Sequence, residues 1–147
     1  MFTERRQNTP AARRPHRGVA LLAFAGCGLL VLFWTFYFSG LLEFGTDDPV
    51  MTEFEAAFPF ADAMLAATLL LAGIGLWSGR RLGRFGMTAG SAMALYLGIL
   101  DLTFYARQGM YTPLNSEGAV ELAVNLVCVV GGLVGLAFCW KLERRPS

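Results

Sequence analysis

Two aspartates sit deep inside apolar runs of this chain, where a charge is hardest to keep. Asp62 is followed by 17 uncharged residues, Ala63 to Gly79. Asp101 is the only charged residue between Phe85 and Ala106. A carboxylate near the centre of a membrane helix costs on the order of 2.5–3.5 kcal/mol. By default such a group faces protein and marks function. Two carboxylates on a shared polar space bind a cation, or protonate a lipophilic substrate and stabilise the carbocation that follows. Asp62 and Asp101 are therefore the expected acid/base or cation-stabilising pair.

Other polar groups recur at helical spacing around them. Glu55 precedes Asp62 by seven residues, Tyr105 follows Asp101 by four, Glu121 precedes Asn125 by four and Tyr37 follows Trp34 by three. Residues at these offsets share a helix face. Depth follows by counting from the basic ends of the runs. Asp62 lies 17 residues from Gly79, Asp101 lies 16 from Phe85, Asn125 lies 15 from Trp140 and Trp34 lies 16 from Gly18. At the helical rise per residue these positions fall at one level, roughly 22–25 Å from the inner ends. An outward-facing acidic pocket is expected there. Its walls carry Glu55, Asp62, Asp101 and Glu121, with Asn125, Tyr105, Tyr37 and Trp34 around them and Arg107 near the mouth. Pro59 removes one helix hydrogen bond and is expected to kink the second span beside Glu55.

Each feature also has a plainer explanation. Glu55 and Glu121 fit the headgroup zone, where charge costs little. Asp62 and Asp101 fit hydrogen bonding between helices. Trp34, Phe36, Tyr37 and Phe38 fit an interfacial aromatic belt. The three cysteines, Cys27, Cys128 and Cys139, fit small apolar packing residues, and no two are close enough for a C-x-x-C pair. The single histidine, His16, lies outside the apolar runs, so neither a histidine-cysteine metal site nor a Ser-His-Asp triad is available. No metal and no cofactor is expected.

The elements that must position these residues are four transmembrane helices. Of 147 residues, 55% are hydrophobic and only 16% charged, and the charges cluster between long apolar runs. About 20 apolar residues cross a bilayer, and spans are expected near 18–42, 55–79, 85–106 and 119–140. Backbone in hydrocarbon must satisfy its own hydrogen bonds, so the spans are helices. The expected fold is an all-α integral membrane four-helix bundle over 18–140, after a disordered basic tail at 1–17 and before a short tail at 141–147. Eleven of the 12 basic residues fall at the N-terminus, in the second loop or at the C-terminus; only Arg107 does not. This bias puts both chain ends in the cytoplasm. The first apolar run is longer than a signal-peptide core, so an uncleaved first helix is expected.

Gly86, Gly90, Ala94 and Gly98 form a four-residue small-residue seam, and Gly75, Gly79, Gly131, Gly132 and Gly135 add others. Such seams let membrane helices approach closely, within a bundle or across a homodimer. The short loop Arg80–Arg84 makes the second and third spans antiparallel neighbours. The first exterior loop, Glu43 to Phe54, is acidic, and Asp48 followed by Pro49 reads as a helix start.

Three functions are compatible with this pattern. The first is a multi-pass cell-membrane protein that binds or transforms a lipophilic or cationic small molecule. The architecture resembles the sterol isomerase and sigma-2-receptor type of four-helix membrane protein, which also places acids in a bundle cavity, although no motif is shared. The second is a non-catalytic subunit of a membrane complex. The third, a small transporter, is disfavoured because the first span lacks an ionisable carboxylate and the charge bias opposes dual topology. Membrane lipid is an expected partner; nucleic acid is not, since the basic residues show no aromatic interleaving.

Overall fold

The computed structural model describes residues 16–41 and 49–144. Residues 1–15 of the expected disordered tail, residues 42–48 and residues 145–147 lie outside the described residues, whereas Arg17, expected in the tail, already belongs to α1. Five helices follow one another: α1 (Arg17–Phe38), α2 (Pro49–Glu55), α3 (Phe58–Trp77), α4 (Arg81–Arg107) and α5 (Ser116–Glu143). Four helical stretches, with α2 and α3 counted as one, are long and apolar enough to cross a membrane.

The helices run up and down in chain order. Among the described residues the extensive contacts are α1 with α3, α3 with α4 and α4 with α5. At one end of the α1–α3 seam, the His16 amide donates to the Leu76 carbonyl at 3.1 Å. Near the other end, the Trp34 indole reaches Asp62. The His16 ring meets Phe138 edge-on at 5.4 Å, so the two described chain ends share one end of the bundle.

Glycine decides how closely the neighbours pack. Gly75 and Gly83 bring the backbones of α3 and α4 into direct contact, and a β-carbon on either would overlap the other strand of backbone. Gly86 faces the Ala72 amide and Gly90 faces Thr68, both on α3. Gly98 instead faces Asn125, Cys128 and Val129 on α5. A strict four-residue repeat advances about 40° per step on a helix of 3.6 residues per turn. From Gly86 to Gly98 the seam therefore winds by roughly a third of a turn, and one row serves two neighbours. Gly132 and Gly135 close the α4–α5 interface against Leu95 and Ser91.

Three boundaries differ from the sequence reading. The α3–α4 connection is Ser78–Arg80, and Arg81 to Arg84 already belong to α4. The reason is Gly79, at φ 65°, a left-handed conformation that lets the Arg80 amide reach back to the Gly75 carbonyl at 2.8 Å. α1 stops at Phe38 by the same device, with Gly40 at φ 72° and the Leu41 amide on the Phe36 carbonyl. Near Pro59 the chain does more than kink: α2 ends at Glu55 and α3 begins at Phe58, with Pro59 in its first turn. Proline is tolerated there because first-turn amides have no partner within the helix.

Candidate functional site

The polar cluster gathers where α2, α3, α4 and α5 converge, away from the shared chain ends. Each residue is placed by packing that the sequence encodes nearby. Phe54, just before Glu55, stacks on Phe104 with centroids 3.6 Å apart and planes at 9°. This folds α2 onto α4, and Glu55 comes within hydrogen-bonding reach of the Tyr105 hydroxyl. Tyr105 is 5% exposed and packs between Phe54, Phe104 and Tyr111.

Asp62 accepts a 2.9 Å hydrogen bond from Trp34 Nε1, which links α1 to α3. Asp101 lies within electrostatic reach of both Asp62 and Glu121. Its position follows from the seam. It is offset about 20° from Gly90, which faces α3, and about 60° from Gly98, which faces α5. The side chain thus falls in the groove between those helices. Asp101 Oδ1 is buried and has no hydrogen-bond partner among the described residues. Glu121 interacts electrostatically with Glu55.

Asn125 is the most buried polar side chain, at 1% exposure. Its Nδ2 donates to Tyr111 Oη across a long 3.4 Å contact. The α5 helix that carries it starts at a capped end, where Asn115 Oδ1 accepts from the Gly118 amide at 2.7 Å.

Of the nine residues expected to form the site, Glu55, Asp62, Asp101, Glu121, Tyr105, Asn125 and Trp34 are brought together by these contacts. Tyr37 reaches the group only through its ring contact with Trp34, at 5.1 Å. Arg107 does not join it; it is exposed at the end of α4 and forms no ion pair among the described residues. The four carboxylates are half-buried. Each lies within the last or first two turns of its helix.

Two residues escaped the sequence reading. Tyr111 sits in the turn after α4, where no periodic pattern ties it to a face. Cys128 had a readable signal, lying seven residues after Glu121 and three after Asn125. Its half-buried thiol lies within electrostatic reach of Asp62 and Asp101. Among the described residues no three His, Cys, Asp or Glu side chains are arranged to hold a metal ion. No protein-family model matches the chain, and no curated protein or solved structure matches it.

Among the described residues, the Trp34–Asp62 hydrogen bond is the one direct polar tie between α1 and α3 at this level. Trp34→Phe is expected to lower stability by about 1.5 kcal/mol, the usual worth of a hydrogen bond to a charged acceptor. A double-mutant cycle with Asp62→Ala, read by reversible unfolding in detergent, checks it; additive losses would mean that the bond does not hold α1.

Proposed function

We propose that this is a multi-pass membrane protein with both chain ends in the cytoplasm, and that its outer half holds a site for a lipophilic cation. The four apolar helical stretches and the one-sided basic residues support insertion in this orientation. Large apolar side chains project outward from every spanning stretch, including Leu22, Phe60, Phe85 and Val127. Such a surface suits lipid better than water.

The observation that carries the ligand is Asp101 Oδ1, buried, without a hydrogen-bond partner among the described residues, and within electrostatic reach of Asp62 and Glu121. An acceptor in that position is stabilised by a cation or a donated proton. Trp34, Tyr105, Phe54 and Phe104 give the surroundings the aromatic character that favours organic cations over hydrated ions. In this reading Asp101 meets the charge, Asp62 is held by Trp34 as the second carboxylate, and Glu55 with Tyr105 flanks the entrance. The same pair serves acid/base chemistry if the ligand is a substrate.

Tetraphenylphosphonium tests the reading directly. Saturable binding to purified protein is expected from quenching of tryptophan fluorescence, weakened about tenfold in Asp101→Asn, or 1.4 kcal/mol. Equal affinity in both proteins would reject the assignment. The Trp34–Asp62 bond favours a second reading, a non-catalytic subunit in which the polar groups only join helices. That reading expects no saturable binding and a loss of folded yield for both Asp62→Asn and Asp101→Asn.

A further inference from the structure

The end of the bundle away from the acidic cluster has a surface of opposite character. Between α1 and α3 lies an open groove of about 350 Å³, lined by Leu21, Phe24, Ile74, Trp77 and Ser78. The Phe24 ring lies directly on Gly73, which sets the floor. The Arg17 guanidinium sits over the Trp77 ring, 5.4 Å from its centroid. Two residues past Ser78 comes Arg80, followed by Arg81 and Arg84 in the first turn of α4. These four arginines have no ion-pair partner among the described residues. Neither Arg17–Leu22 nor Ile74–Arg84 contains an acidic residue.

We propose that this groove seats one anionic phospholipid of the surrounding bilayer. Its acyl chain lies along Leu21, Phe24, Ile74 and Trp77, and its phosphate meets Arg17 and Arg80. Charge complementarity selects the occupant: an apolar trough under unpaired guanidinium groups matches a molecule with an acyl chain and a negative headgroup. Stacking on Trp77 holds Arg17 at the rim without neutralising it. The site is separate from the acidic cluster and shares with it only the membrane insertion proposed above.

The test uses the full chain in nanodiscs of equal phosphatidylglycerol and phosphatidylcholine, followed by native mass spectrometry of the released protein. Retained lipid should favour phosphatidylglycerol about tenfold, as two guanidiniums at one headgroup warrant. Arg17→Gln with Arg80→Gln should bring retention near parity. Arg144→Gln should leave the preference intact, because Arg144 stacks on Trp140 at 4.7 Å but on α5, outside the groove. Ile74→Trp, which fills the trough and keeps every charge, should also lose the retained lipid. Parity in the inserted wild-type protein overturns the proposal, as does unchanged retention in Ile74→Trp or an equal loss in Arg144→Gln. A chain that does not enter the bilayer removes this proposal together with the membrane reading, whereas parity in an inserted chain removes this proposal alone.

Discussion

Asp101→Leu should make the protein more stable and abolish the proposed cation binding. The wild-type carboxylate sits among apolar turns with one oxygen buried and unpartnered, and its neighbours Asp62 and Glu121 carry the same charge. Leucine removes an insertion cost and gains packing. At a half-buried position the gain should be about 2 kcal/mol, less than the full difference for a helix centre. Asp62→Leu should go the other way, because it strands the Trp34 indole that now donates to Asp62 at 2.9 Å. Opposite signs for two aspartates at one level would mark Asp101 as a group kept at the expense of stability, the usual sign of a working site. Reversible unfolding in mixed micelles reads both signs. Destabilisation by Asp101→Leu would show the residue to be structural and end the case for a site there.

The second large effect is on folding itself. Gly83→Val should prevent accumulation of folded protein, and Gly75→Val should do the same. At this crossing α3 and α4 meet backbone to backbone, so the added carbons have no flexible side chain to displace. The helices would have to separate, breaking the seam that also carries Gly86 and Gly90; the cost should be about 3 kcal/mol or more. Gly131→Val is the matched control. A β-carbon there meets nothing within 4 Å, and the residue is exposed. Membrane-fraction yield and unfolding midpoint should fall for the first two and stay unchanged for the third. Normal yield of Gly83→Val would mean that the α3–α4 crossing is looser than described.

These two expectations divide what was readable in the sequence from what was not. The number and approximate limits of the helical stretches followed from uncharged runs, because a run long enough to span is hard to mistake. The nearness of Trp34 to Asp62, and of Asp62 to Asp101, was readable by counting residues, since helical rise is nearly constant. What each glycine touches was not readable. Gly86 and Gly98 look equivalent in a four-residue repeat, yet they face α3 and α5 respectively, because the repeat drifts around the helix. Gly131 belongs to the same kind of pattern and faces neither. Tyr111 was equally hidden, because its place beside Asn125 depends on the turn between α4 and α5. Arg107 stands at the outer end of α4 as its position in the chain says, but that position could not say whether it pairs with an acid.

The pairing of helices in chain order, α1 on α3, α3 on α4 and α4 on α5, has a consequence for biosynthesis. If the chain inserts into a bilayer as proposed above, each segment after α1 finds a partner made before it. No segment must be held in reserve for one still to be synthesised. The first antiparallel pair, α1 with α3, already joins Trp34 to Asp62 before Asp101 exists. In the membrane reading proposed above, Asp101 then enters with α3 already in place on one side, and α5, which carries Glu121, closes the groove last.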